Sequence, residues 1–250
     1  ATLLWGFAFS GAAAALNPLS PADTSSPRAT FESFQENVRL AWECFSQISE
    51  LADRGGRWTY SPEAKELAER GEFYFHRAMQ CIDNSQIPRA YRYQESIEAV
   101  IFLKGILDRL PLPNPEEIPG KEGIGSVGNY LTRWYVPGTE ISLKRVASGE
   151  QEGHYLFSAE SVERFESDYD RVRALPHREG VLPGFYTWYM LAPGRLIPPR
   201  WLLTLFPVSR MSPWLLLEYR GQAVWQWIGL AVILLLTFVV ILWLISQYRL

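Results

Sequence analysis

Apolar side chains recur at spacings of three and four from Phe31 onward, in separable runs. Phe31, Phe34, Val38, Ala41, Phe45, Ile48 and Leu51 fall on one face of a helix. Ser26-Pro27 supplies a cap and a proline at the first helical position, and Gly55-Gly56 ends the run. Ser61-Pro62 opens a second helix with Leu67, Tyr74, Ala78 and Ile82 inward. A third starts after Pro88, carries Ile97, Val100, Ile101, Leu107 and Leu110, and stops at Pro111. Residues 28–110 therefore read as a three-helix subdomain whose stripes must be buried on one another or on a later part of the chain.

After the proline-rich stretch 111–119 the period changes. Tyr130-Leu-Thr-Arg-Trp-Tyr-Val is aromatic and β-branched, and Glu140-Ile-Ser-Leu-Lys-Arg-Val alternates as a strand does. His154-Tyr-Leu-Phe comes after the polar loop Ser148-Gly-Glu-Gln-Glu-Gly, which makes a hairpin. Ser158 caps a fourth helix carrying Val162, Phe165, Tyr169 and Val172, ended before Pro176. Residues 120–190 thus form a small antiparallel sheet with a covering helix. The fold class is α+β, anchored to a membrane by one carboxyl-terminal helix.

From Val224 to Ser246 the chain runs through 23 residues without a charged side chain. As a helix that run is roughly 34 Å long, against roughly 30 Å of bilayer hydrocarbon. Trp225 and Trp227 stand at its start, Trp243 and Tyr248 near its end, as an aromatic belt would. Residues 221–248 are expected to be a transmembrane helix. Ahead of it, residues 191–220 mix Arg195, Arg200 and Arg210 with Leu196, Trp201, Leu202, Leu203 and Phe206, cut by prolines into pieces too short to span. Such a segment suits the headgroup zone, where arginine reaches phosphates; a hydrophobic wrap around the core is the competing reading. The expected membrane-interface anchors are Arg200, Trp201, Trp214, Trp225, Trp227 and Trp243.

Residues 1–16 are apolar, too short to span, and end in small residues around Ala13-Ala14-Ala15, which fits a truncated signal peptide. Residues 17–27 read as a polar, proline-punctuated linker. Arg210 and Arg220 before the span and Arg249 after it oppose an exported domain under the positive-inside rule. Long domains translocate largely regardless of charge, so the signal-like start sets the orientation. In an exported domain Cys44 and Cys81 are a possible disulfide; each also sits at an apolar helical position, where a free thiol packs as a small core residue.

Composition narrows the function. The chain has 250 residues, 48% hydrophobic and 20% charged, with net charge −3, so nothing argues for nucleic acid as partner. Gly123-Ile-Gly-Ser-Val-Gly128 matches a dinucleotide fingerprint but comes after a proline-rich loop instead of a strand. His76, His154 and His177 are isolated from one another and from cysteine, and no G-x-S-x-G occurs. No catalytic residue, metal ligand or cofactor is expected, and the protein does not read as an enzyme. The span carries no charge of the kind that marks a relay or a voltage sensor, so it reads as a lipid-facing helix.

Four segments in order are more specific than these motifs. They are Ser26-Pro-Arg-Ala-Thr-Phe-Glu-Ser-Phe, Trp134-Tyr-Val-Pro-Gly-Thr-Glu-Ile-Ser-Leu-Lys-Arg-Val, Tyr155-Leu-Phe-Ser-Ala-Glu-Ser-Val and Ala192-Pro-Gly-Arg-Leu-Ile-Pro-Pro-Arg-Trp. Gly221-Gln-Ala-Val-Trp-Gln-Trp-Ile comes next, at the span. Over roughly residues 25–235 the chain resembles the amino-terminal extracytoplasmic region of large bacterial channels of the small-conductance mechanosensitive (MscS-like) family. The resemblance implies a periplasmic domain and first peripheral helix in the bacterial inner membrane. It further implies a homo-oligomeric ring, a lipid bilayer as partner, and ion transport gated by membrane tension through a pore helix outside these residues. The organisation also fits the extracytoplasmic sensor domain of a transmembrane signalling receptor.

Overall fold

The structure, a computed structural model, describes residues 20–54, 59–125, 130–192, 195–205, 212–219 and 222–248. The expected signal peptide and the Gly55-Gly56 stop lie outside them. Eight α-helices and two small antiparallel sheets make up the described residues. Three long helices come first: α1 Pro27–Arg54, α2 Pro62–Met79 and α3 Arg92–Leu107. Strands β1 Arg133–Tyr135, β2 Ser142–Arg145 and β3 Tyr155–Phe157 form a meander. Then come α4 Ala159–Val162, α5 Phe165–Val172, α6 Phe185–Leu191 and α7 Arg200–Leu205. The two-residue strands β4 Glu218–Tyr219 and β5 Gln222–Ala223 lead into α8 Val224–Tyr248.

Serine caps set three of these starts. The Ser26 hydroxyl accepts from Ala29 N at 3.1 Å, that of Ser61 from Ala64 N, and that of Ser158 from Ser161 N. The hairpin register pairs Leu143 with Phe157 and Arg145 with Tyr155. The single helix expected after Ser158 is two, α4 and α5, because the chain turns at Glu163–Arg164. Moreover, α5 lies on α3 and is not the cover of the sheet. That cover is α1, whose Phe34 ring stands edge-on to Phe157 at 5.3 Å and whose Phe31 meets Trp134 at 6.3 Å.

One buried cluster runs through both expected subdomains, from Phe31, Phe45 and Phe75 to Leu143, Phe157 and Phe165. Residues 20–26, read as linker, are pinned to it: Ala22 N donates to Gln80 Oε1 at 2.9 Å and Tyr155 N to Thr24 O at 2.8 Å. Proline punctuation there marks an extended strap instead of a tether. Cys44 and Cys81 are both buried, unbonded thiols, which corrects the possible disulfide. Cys44 packs at Gly71 of α2, and Cys81 is ten residues further along. The eight helical residues from Gly71 to Met79 alone span about 12 Å, twice what a disulfide bridges. Burial pushes the Cys81 thiol up to about 12.

The α1–α2 crossing depends on a missing side chain. A methyl on Gly71 would sit 2.5 Å from Phe45 Cε1, and Phe45 is fully buried. Alanine gains about 1 kcal/mol in helix propensity, but overpacking costs about 1–3 kcal/mol, so the clash wins. Gly71→Ala should lower the thermal midpoint by about 2–8 °C in calorimetry; an unchanged or raised midpoint would mean the crossing is looser than described.

The sheet also carries an acid-sensitive brace. Glu160 opens α4 beside Arg133 at 3.0 Å and Lys144 at 3.4 Å. Its own backbone N–H, then the Ser158 hydroxyl and these cations, outweighs burial and holds the carboxyl down to about 2. A depressed carboxylate stabilises the fold above its unfolded value, about 4.3, and that contribution disappears as pH falls towards 2. Carbon-detected NMR titration of Glu160 should give a midpoint near 2; an ordinary carboxylate midpoint would contradict the brace.

Candidate membrane-interface site

The foot of the apolar helix is built from α6 outward. Gly184 takes a positive φ of 103° at the start of α6, and a methyl there would already touch Trp42 at 3.4 Å. This turn lays α6 on the aromatic face of α1. Phe185 stacks on Trp42 at 5.1 Å, and Trp188 stacks nearly parallel to Phe45 at 6.3 Å. Both indoles also satisfy their N–H inside the domain: Trp42 Nε1 donates to Leu182 O at 2.9 Å and Trp188 Nε1 to Leu196 O at 2.7 Å. An aromatic pair is worth about 0.5–1.5 kcal/mol beyond its buried area, so α6 is held by several such increments.

On this base sits the hairpin β4–β5, with Glu218 opposite Ala223 and Tyr219 opposite Gln222. The helix α8 starts at the next residue, Val224, so Gln222–Ala223 belongs to a strand and not to the helix expected from Gly221. Its first turn is tied down by four polar contacts. Val224 N donates to Leu217 O at 2.9 Å, and Ala223 N to the side chain of Gln226 at 2.9 Å. The second contact is the returning half of a capping box. Trp225 Nε1 reaches Met190 O of α6 at 3.4 Å, and Trp227 Nε1 donates to Tyr219 O at 3.0 Å. Tyr219 also meets the Trp227 ring edge-on at 6.2 Å. Strand runs into helix with no linker between them.

The expected anchors divide into three groups. Trp214 (53% exposed), half-buried Trp225 and Trp227 (40% exposed) belong to elements gathered at the foot of α8. Trp243 stands alone near the far end of α8, 60% exposed. Arg200 and Trp201 open α7, which packs on α1. Trp201 is exposed, but Arg200 is only 6% exposed, which corrects its reading as a phosphate-reaching anchor. Alternation within a short helix decides this: Leu202 and Leu203 also turn inward, so here the wrap around the core prevails. Beside Arg200, burial pushes the Tyr60 hydroxyl up to about 12, and it donates to Pro198 O at 2.5 Å.

Beyond its first turn, α8 touches little. The stretch Val224–Gln247 is apolar and long enough to cross a membrane, and its most apolar window is not buried at all. Trp225 and Trp243 are 18 residues apart, about 27 Å along the axis, close to the thickness of a hydrocarbon core. Within α8 Thr237 bonds its own helix, Oγ1 to Ile233 O at 2.8 Å. The described half of the G-x-G-x-x-G match, Gly123–Gly125, lies in a turn and opens no helix. The chain matches no known family model, no curated protein and no solved structure.

Sequence patterns alone do not bring out α6, Tyr219 or the Gln226 cap. The hairpin's one local signal is Gly221, a residue type common in tight turns, between Tyr219 and Gln222. The α6 stack has none, since Phe185-Tyr-Thr-Trp-Tyr-Met-Leu is apolar with no clear period. The joint is testable at Ala223, which is fully buried between the hairpin and α6. Ala223→Leu should cost about 1–3 kcal/mol locally. Amide exchange over residues 218–224 should quicken at least about fivefold with α1 and α2 unaffected; unchanged exchange would mean the foot of α8 is not packed.

Proposed function

We propose that the chain is the periplasmic domain and first membrane-crossing helix of a tension-gated ion channel. In this reading α8 runs inward through the bacterial inner membrane and several copies stand in a ring. The observation that carries it is the foot of α8, where an exposed apolar helix of bilayer length continues directly from a strand of the domain. The ring and the channel come from the resemblance carried by the order of the four segments between Ser26 and Trp201.

The physics of such a joint fits a tension sensor. A span longer than the hydrocarbon thickness responds to a thinning bilayer by tilting, at fractions of a kcal/mol per Å of mismatch. With Trp225 bonded to α6 and Trp227 to β4, a tilt of α8 turns the hairpin and α6 with it. The exposed indoles of Trp214 and Trp227 suit the headgroup level and set the height of the joint.

Orientation can be read by thiol labelling, because both native cysteines are buried and leave a low background. Gln151→Cys in the exposed hairpin loop should react with a membrane-impermeant maleimide in intact spheroplasts, and Gln247→Cys only after lysis. The reverse pattern would overturn the orientation. For gating, membrane patches carrying the complete protein should pass pressure-activated current, and the Trp225→Ala, Trp227→Ala pair should shift the opening tension at equal abundance. No pressure-activated current would remove the channel reading and leave that of a receptor's sensor domain.

A further inference from the structure

Between α1, the carboxyl-terminal end of α3 and the strap 178–182 lies a cleft of about 210 Å³ that the membrane reading does not use. Its floor is apolar. Phe34, Val38 and Trp42, four residues apart on α1, are 1%, 1% and 7% exposed, and Leu107 of α3 adds to them. The strap is fixed at both ends: Arg178 N donates to Asp108 O at 2.8 Å, and Leu182 O accepts from Trp42 Nε1 at 2.9 Å. The cleft is therefore held open by the fold.

Its charges are mostly spoken for. Arg39 is engaged by Glu36 and Glu43, and Lys104 bonds both oxygens of Asp108, at 2.9 and 2.7 Å. Arg178 differs. Its Nε donates to Leu107 O at 3.1 Å, and among the described residues no carboxylate pairs with its guanidinium. A half-buried arginine with free Nη donors beside an apolar floor is complementary to one group above all, a carboxylate taken in a two-pronged grip.

We infer that this cleft binds a small monocarboxylate with an apolar body, its carboxylate on Arg178 and its body against Phe34, Val38 and Trp42. The volume is below the roughly 300–1,000 Å³ of sites for drug-sized molecules, so the ligand is of metabolite size. The strap leads through Gly184 into α6, which places the ligand against the segment that carries the foot of α8. Binding itself does not rest on the membrane reading.

The test uses the full chain in lipid nanodiscs, with empty nanodiscs subtracted, titrated calorimetrically with 3-phenylpropionate, 3-phenylpropanol and 3-phenylpropylamine. The carboxylate should bind saturably at one per chain, at least about tenfold tighter than the alcohol or the amine. Arg178→Gln should lose at least about tenfold. Because Arg178 also holds the strap, Gln35→Glu supplies a second variant: it lines the same cleft, leaves the strap bonds alone and adds a negative charge to it. It should weaken the carboxylate comparably at an unchanged melting temperature. No saturable heat, equal binding of the alcohol, preference for the amine, or indifference to Gln35→Glu would each overturn the inference.

Discussion

Sixteen large apolar side chains of α8, from Trp227 to Ile245, are between 40% and 62% exposed on the isolated chain. Fully burying one such side chain is worth about 1.5–3 kcal/mol, so roughly half of that for each comes to about 12–24 kcal/mol over the helix. A domain of this size is stabilised by only about 5–15 kcal/mol. Leaving α8 in water thus forgoes an apolar gain as large as the net stability of a whole domain. Among the described residues nothing covers the most apolar window of α8, which is not buried at all. In the proposed function a bilayer surrounds this helix.

The rest of the architecture stems from having to hold such an element without burying it. Only the first turn of α8 is available for attachment, and there the chain concentrates its bonds: a strand pairing, a side-chain cap and two indole donors within six residues. The base beneath is α6, which belongs to the core through Trp42, Phe45 and Phe75 and to the joint through the Met190 carbonyl. Each of these contacts is small. Together they make a short, stiff path from the middle of α1 to α8.

The elements that could be read from sequence were those with a local cause. Ser26, Ser61 and Ser158 cap helices because a hydroxyl next to a proline or a small residue meets free N–H groups wherever the chain goes. The hairpin of β2 and β3 comes from alternation and a glycine-bounded loop, and α8 from an unbroken apolar run. The features that escaped depend on partners far away in the chain. Arg200 is buried because α7 packs on α1, more than a hundred residues earlier. Cys44 lies on α1 and Cys81 just past the end of α2, yet the α1–α2 register at Gly71 keeps them apart. The aromatic segment of α6 has no period of its own, because it is buried on more than one side.

If the domain and α8 are one body joined without a linker, the distance between them is fixed. Electron–electron double resonance on the full chain in lipid nanodiscs tests this most directly, with one spin label at Glu69→Cys on the exposed side of α2 and another at Ile233→Cys in α8. A rigid joint predicts a single distance distribution only a few Å wide beyond the spread of the labels. A distribution tens of Å wide, as a flexible tether produces, would contradict it.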